Sequence, residues 1–372
     1  MRGARAFVLA IAFTAAAGAN GCGARTGLTI PDYDAGPDAP MDAGTDAPDA
    51  PLVCMPGEFP ILPTSADVVF TIDRSGSMRL TIDGLEDMPP DTWRWAILRD
   101  ALAGAFATLD PRVRVGAKFY PDPIMIGPTP VPTEVACATS SGIDVPISAT
   151  GRSRILDVFD TTEALGGTPT ALALVEAAAA ARASTSTRRF IVLATDGGPN
   201  CNGVLTRPCV CTSGPGDCDG IDGEFSCLDD RRTINVIDST FRLAGIPVFV
   251  VGIEDPSRPD LADVMDAMAV AGGRPREGAP RRFYSVRTAA ELREALDVIT
   301  STISLCGFVS PSVPPDDSTF SIEIDGERVP RDGGEGWAWT DRSRGELEVF
   351  GTWCERAQRP GAEIVAIVDD CP

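Results

Sequence analysis

The sequence predicts an α/β protein with a doubly wound, mostly parallel sheet and helices on both faces, followed by a small antiparallel β module. Apolar runs such as residues 68–72 and 248–253 are almost continuous, as in strands that are buried on both faces. Between these runs lie segments whose apolar residues recur at helical spacing, and such alternation indicates a parallel sheet covered by helices. After Cys306 the pattern changes to short strands separated by turns rich in Gly and Asp.

The N-terminal segment has the features of an export signal. Two arginines precede an apolar run over residues 6–17, which is too short to span a bilayer as a stable helix. Small residues then precede Cys22, as in a bacterial lipobox, although the leucine usual three positions earlier is absent. We predict a signal peptide over residues 1–22 and lipidation of Cys22, which would anchor the chain to a membrane. Plain cleavage near this site is the alternative.

Composition restricts the remaining function classes. Residues 23–53 are dominated by Asp, Ala, Pro and Gly, so we predict a disordered tether. The formal net charge of −21 argues against nucleic acid as a partner, because the phosphates would repel the chain. The sequence contains no histidine, which excludes Ser-His-Asp and Cys-His catalysis together with every histidine-ligated metal site.

The cysteine count predicts disulfide bonds. Of eleven cysteines, ten remain besides Cys22, and an exported chain could pair them as five bridges. Half of these ten lie close together, so at least one bridge must leave this cluster if all pair. The clustered residues are Cys201, Cys209, Cys211, Cys218 and Cys227. A zinc site is the competing interpretation, but paired C-x-x-C motifs are missing. The loop that carries the cluster is either a recognition surface or a segment pinned against proteolysis.

The α/β domain is assigned to residues 54–304, with a Cys-rich insertion over residues 198–230. Its predicted strands lie at residues 68–72, 113–120, 190–195 and 248–253. Its predicted helices lie near residues 95–109, 171–183, 231–244, 261–271 and 288–303. Gly245 and Gly272 are expected to end two of these helices, and Thr288 with Glu291 forms a capping box for the last one.

The C-terminal β module is assigned to residues 305–372. Its predicted strands lie at residues 320–324, 337–340, 346–353 and 364–368. A unit of this size has a thin core, so we expect disulfides of Cys306, Cys354 and Cys371 to hold it together.

Five oxygen-bearing side chains stand where predicted strands or helices meet loops. The strand over residues 68–72 runs into a D-x-S-x-S motif, and the other two positions follow far downstream. The five residues are Asp73, Ser75, Ser77, Thr168 and Asp196. Two carboxylates and three hydroxyls are hard ligands that suit Mg²⁺ or Ca²⁺. Asp73 and Asp196 each follow a strand directly, which places both at the sheet edge where α/β proteins bind ligands. A loop with local hydrogen bonds and no metal is the alternative.

This pattern resembles the von Willebrand factor A domain and its metal-ion-dependent adhesion site, over roughly residues 64–304. The resemblance implies that Ser75, Ser77 and Thr168 touch the metal directly, while Asp73 and Asp196 act largely through water. Neutral direct ligands leave the cation short of negative charge, so it can accept a carboxylate from a partner protein. In some members of this family, ligand binding shifts the last helix. A bond from Cys306 to Cys354 or Cys371 would resist such a shift here.

The sequence therefore predicts an exported, lipid-anchored module of the cell envelope that binds an acidic protein ligand through a divalent cation. A structural envelope protein with an incidental metal is one alternative. A metal-dependent hydrolase is another, but Ser75 does not lie in a G-x-S-x-G elbow and has no histidine as its base. We expect no enzymatic activity.

Overall fold

The computed structural model describes residues 54–124, 132–186, 188–212, 218–220, 223–255 and 258–371. The predicted signal peptide, Cys22 and the predicted tether lie outside the described residues. Among the described residues, no helix combines the length and the apolar composition that a bilayer span needs.

Two short strands, β1 (Gly57–Pro60) and β2 (Leu62–Pro63), precede the central sheet. In the described part of the chain this sheet has six strands: β3 (Ala66–Asp73), β4 (Val113–Tyr120), β5 (Val145–Ser148), β6 (Arg189–Thr195), β7 (Val248–Ile253) and β8 (Tyr284–Val286). Their order is β5-β4-β3-β6-β7-β8, and every pair is parallel except β4 with β5. All eight residues of β3 are buried, as its continuous apolar run predicts.

Helices cover both faces of this sheet. Those of the α/β part are α1 (Arg94–Thr108), α2 (Thr133–Ala136), α3 (Gly151–Thr161), α4 (Thr170–Ala183), α5 (Asp230–Ala244), α6 (Pro259–Ala271) and α7 (Ala289–Leu305). Helices α1, α3 and α7 pack on one face, against Phe70 and Ile72 of β3. Helices α4, α5 and α6 pack on the other face, against Val69. Successive β3 side chains thus enter opposite cores, which confirms the predicted doubly wound class.

The glycine after α5 and the capping residues before α7 bound these two helices as predicted. Gly245 follows α5 in the left-handed conformation, with φ of 63°, which a residue without Cβ adopts at little cost. At the start of α7, the Thr288 hydroxyl accepts a hydrogen bond from the Glu291 N–H at 3.1 Å. The returning bond differs from a standard capping box, because the Glu291 carboxylate accepts from the N–H of Arg287 at 2.6 Å.

The connections that leave β3 and β6 run to opposite sides of the sheet. Strand β3 leads through α1 to β4 on one side, whereas β6 leads through α5 to β7 on the other side. The two strands are adjacent and parallel, with Ile72 paired to Ala194 near their carboxyl ends. Open α/β sheets bind ligands at such a switch point.

The antiparallel module contains the remaining strands and one helix. These are β9 (Gly307–Val309), β10 (Phe320–Ile324), β11 (Glu327–Val329), β12 (Trp337–Asp341), β13 (Glu346–Val349), α8 (Gly351–Ala357) and β14 (Ile364–Val368). Among the described residues they form two four-stranded sheets, β1-β14-β10-β11 and β12-β13-β9-β2. Phe308, Phe320 and Trp337 share one core in this module. The disulfides Cys54–Cys371 and Cys306–Cys354 lie in the same unit.

Two features of the module differ from the sequence expectation. Strands β1 and β2 pair with β14 and β9, so residues 57–63 belong to the antiparallel sheets and not to the α/β domain. The predicted strand over residues 346–353 ends at Val349, because Gly351 turns the chain with φ of 61° and starts α8. Helix α8 brings Cys354 to Cys306, which directly follows α7.

Candidate metal site

The five predicted site residues come together at the switch point of the central sheet. Asp73 is the last residue of β3, and Asp196 directly follows β6. Ser75 is the N-cap of a short 3-10 helix, Gly76–Arg79, that contains Ser77, and Thr168 lies two residues before α4. All except Asp73 line one cleft of about 860 Å³. Asp73 itself is fully buried.

Short hydrogen bonds connect these side chains. The hydroxyls of Ser75 and Ser77 share a hydrogen bond of 3.0 Å, and the Ser77 hydroxyl donates to Asp196 Oδ1 at 2.8 Å. The Asp73 carboxylate accepts from the N–H of Ser75 at 2.8 Å and from the hydroxyl of Thr195 at 2.6 Å. Adjacent ligands around an octahedral Mg²⁺, at about 2.1 Å from the metal, are themselves about 3 Å apart. The donor set and its oxygen spacing therefore fit a hard divalent cation.

Asn200 and a disulfide hold Thr168 in place. The Asn200 side chain accepts from the Thr168 N–H at 2.7 Å, and the Asn200 N–H donates to the Thr168 carbonyl at 2.9 Å. The Cys137–Cys201 disulfide joins the end of α2 to the loop that carries Asn200. Gly167 packs so closely here that a Cβ would collide with the Cys201 sulfur atom and press against that of Cys137. Asn200, Cys137 and Cys201 thus form a clasp around Thr168, and the clasp also lines the cleft.

A buried arginine pairs with one of the two carboxylates. Arg94, the first residue of α1, donates from Nη1 to Asp196 Oδ2 at 2.6 Å, and both side chains are at least 96% buried. Its Nε donates to the carbonyl of Thr81 at 3.0 Å. The pairing of Arg94 with Asp196 was not predicted from the sequence, because nothing in the local pattern distinguishes Arg94 from an exposed arginine at a helix start.

Burial makes the ionised form of Asp73 unfavourable in the metal-free protein. It raises the pKa of Asp73 from its ordinary value of 3.8 to about 7, and the negative charge of Asp196 adds to this shift. Hydrogen bonds from Ser75 and Thr195 act in the opposite direction. A cation above this carboxylate would relieve the cost of its buried charge.

The cysteine-rich loop forms one wall of the cleft. Its residues Thr212 and Phe225 line the cavity. The bridges Cys209–Cys227 and Cys211–Cys218 lie within the loop, while Cys137–Cys201 leaves the cluster as the odd count predicted. The sulfur atoms of Cys209, Cys218 and Cys227 lie within 4.8 Å of one another. All three are bonded in disulfides, so they offer no thiolates to zinc.

The loops that contribute to the cleft also carry exposed apolar side chains. Leu85 and Met88 follow the D-x-S-x-S motif, Val135 lies in α2, and Val204 and Val210 lie in the cysteine-rich loop. Val204 is 85% exposed and Leu85 is 56% exposed. Exposed apolar residues on segments that line a cleft offer surface for contact with another protein.

No protein-family model and no curated protein matches the chain. Among solved structures, the chain is similar to the PilB minor pilin from Streptococcus sanguinis, with 16% identity, a TM-score of 0.43 and coverage of 65% of this chain and 61% of the pilin. It is also similar to the vWF domain of the type V pili tip protein Mfa5 from Porphyromonas gingivalis, with 13% identity, a TM-score of 0.42 and coverage of 65% and 96%. A third similar structure is von Willebrand factor type A from Catenulispora acidiphila, with 14% identity, a TM-score of 0.39 and coverage of 86% and 63%. At these TM-scores the fold class rests on the topology of the central sheet.

Proposed function

We propose that this protein is an exported, lipid-anchored module that binds a divalent cation, Mg²⁺ or Ca²⁺, and through it an acidic residue of a protein ligand. The observation that carries the proposal is the convergence of Ser75, Ser77, Thr168 and Asp196 on one cleft at the switch point. Hydroxyl ligands are neutral, so a cation held by them keeps positive charge for a carboxylate from outside the chain.

The side chains divide into two roles around the cation. The hydroxyls of Ser75, Ser77 and Thr168 would hold it, while Asp73 and Asp196 would supply negative charge. Hydroxyl and carboxylate oxygens are ligands that both Mg²⁺ and Ca²⁺ accept. The bound cation would supply the positive charge that orients a ligand carboxylate. We propose binding and not catalysis, because the chain has no histidine that could activate Ser75 as a nucleophile.

A protein is the ligand class that the surroundings of the cleft favour. Val135 in α2, Val204 in the cysteine-rich loop and Leu85 after the D-x-S-x-S motif are exposed apolar residues on segments that also line the cleft. They would offer a protein ligand apolar surface in addition to its contact with the metal.

Export and anchoring are proposed from the N-terminal sequence together with the cysteines. The ten described cysteines all pair as disulfides, an arrangement that persists in oxidising compartments. The signal-like residues 1–22, with the lipobox-like Cys22, provide the route and the anchor.

The test is a pull-down from envelope extract with the full mature chain as bait, in Mg²⁺, in Ca²⁺ and in EDTA. We expect a retained protein that EDTA releases and that an Asp73→Ala bait does not capture. An Asp157→Ala bait, altered at an exposed position of α3, should capture it as the wild type does. Retention that is equal in EDTA and with Asp73→Ala would contradict the proposal and favour a structural envelope protein with an incidental metal.

A further inference from the structure

The buried pair of Arg94 and Asp196 places a permanent positive charge inside the candidate metal site. Arg94 is 4% exposed, and its guanidinium is held by the Asp196 carboxylate at 2.6 Å and by the carbonyl of Thr81 at 3.0 Å. The opposite oxygen of Asp196 accepts from Ser77 at 2.8 Å. One carboxylate thus connects the arginine to the hydroxyls that face the cleft.

The net charge of the cluster formed by Asp73, Asp196 and Arg94 depends on the arginine. Asp73 and Asp196 together carry two negative charges when ionised, and Arg94 offsets one of them. With a divalent cation bound, the cluster has a net charge of +1, whereas the same cluster without Arg94 would be neutral. Because these groups are buried, water screens the charge only weakly.

We propose that Arg94 acts as an internal competitor of the metal, weakening divalent-cation binding and strengthening the binding of an acidic ligand by the loaded site. This inference rests on the proposed function and names Arg94 as the residue that sets the preference of the loaded site for an acidic ligand. The positive charge of Arg94 offsets the negative charge of Asp196 that would otherwise attract the cation. It also leaves the loaded site with excess positive charge. The metal and the acidic ligand therefore bind cooperatively, because each offsets a charge that is unfavourable without the other.

The test is calorimetric titration of Mg²⁺ into EDTA-stripped, dialysed protein for the wild type, Arg94→Gln and Arg94→Lys. Glutamine removes the charge but keeps a side-chain donor for Asp196, so we expect Arg94→Gln to bind Mg²⁺ about tenfold more tightly. Lysine keeps the charge but not the guanidinium geometry, so its affinity should stay within about threefold of the wild type.

A second measurement repeats the titrations in acetate and in chloride at equal ionic strength, with acetate as the carboxylate probe. Acetate should tighten Mg²⁺ binding to the wild type and should do so less for Arg94→Gln. Unfolding in EDTA provides a readout that is independent of binding. Arg94→Gln should be less stable there, because Asp196 loses its charged partner, and Mg²⁺ should restore more stability than in the wild type.

Weaker Mg²⁺ binding by Arg94→Gln would overturn the proposal, since it would mean that the arginine only orients Asp196. If Arg94→Gln does not fold, a loss of tenfold or more in Arg94→Lys would overturn it for the same reason. Mg²⁺ binding by Arg94→Gln but not by the wild type would support the proposed role of Arg94 as a competitor of the metal. The same result would contradict the proposed function, because the natural chain would then not bind the cation. If all three proteins bind no Mg²⁺, both proposals fail.

Discussion

Replacing Asp73 with asparagine should stabilise the metal-free protein, although it removes a carboxylate of the proposed metal site. The pKa of Asp73 is about 7 in the folded chain against an ordinary value of 3.8, because the carboxyl group is buried near Asp196. This shift of about three units corresponds to about 4 kcal/mol of unfavourable free energy once the group is ionised in the folded state. Asparagine keeps one oxygen acceptor but brings an amide without an assured partner, which costs about 1–3 kcal/mol. We therefore expect a net gain of about 1–3 kcal/mol in EDTA at pH 8.

The pH dependence of this gain has a definite sign. Between pH 3.8 and 7 the folded state holds a proton on Asp73 that the unfolded state has lost, so wild-type stability falls as the pH rises through this window. The stability difference between Asp73→Asn and the wild type should thus grow from about pH 4 and level off above pH 7. Urea unfolding in EDTA at several pH values measures it, with the exposed Asp157→Asn as the matched control.

Magnesium should reverse the order of stability. Saturating Mg²⁺ should stabilise the wild type and leave Asp73→Asn unchanged, because only the wild type has the full negative charge of the site. A mutant that is less stable than the wild type by the same amount at every pH in EDTA would contradict this prediction. It would show that Asp73 serves only as a hydrogen-bond acceptor for Ser75 and Thr195.

Three further predictions concern cysteines. A Cys137→Ser/Cys201→Ser variant should bind Mg²⁺ about tenfold more weakly in calorimetry, because the clasp no longer restrains Thr168. Cys306→Ser should increase amide exchange in the last turn of α7, since the bond to the β module clamps this helix end, and unchanged exchange would contradict the clamp. Mass spectrometry of the exported protein should find a diacyl or triacyl group on an N-terminal Cys22, and an unmodified N-terminus elsewhere would contradict lipid anchoring.

The matched control for the clasp is the double replacement Cys209→Ser/Cys227→Ser. This bridge lies within the cysteine-rich loop, and neither of its cysteines lines the cleft. Its loss should change Mg²⁺ affinity by less than about threefold. Equal losses in both double variants would mean that the loop needs its disulfides only for general order.

The part of the fold that follows from local pattern was predictable. The continuous apolar run of β3 and the glycine after α5 act through their own backbone and nearest neighbours, so a single stretch of sequence reveals them. The position of the two aspartates at one edge of the sheet was also predictable, because Asp73 and Asp196 each lie at the end of a recognisable strand. Their convergence then follows from the rule that parallel strands end at the same sheet edge.

The missed features depend on contacts between distant segments. Arg94 meets Asp196 across 102 positions, and Asn200 meets Thr168 across 32, so neither pairing leaves a local signal. Strand β1 has four residues and pairs with β14 at the other end of the chain. Such a short segment carries too little periodicity to indicate a strand, and its partner is fixed only when the whole module packs.

Binding of a divalent cation in the cleft can be measured by calorimetric titration of Mg²⁺ into the stripped mature protein. We expect saturable binding of one ion per chain, abolished by Thr168→Ala and retained by Thr302→Ala, a matched replacement in α7 that does not line the cleft. The absence of saturable binding in the wild type, or undiminished binding by Thr168→Ala, would contradict it.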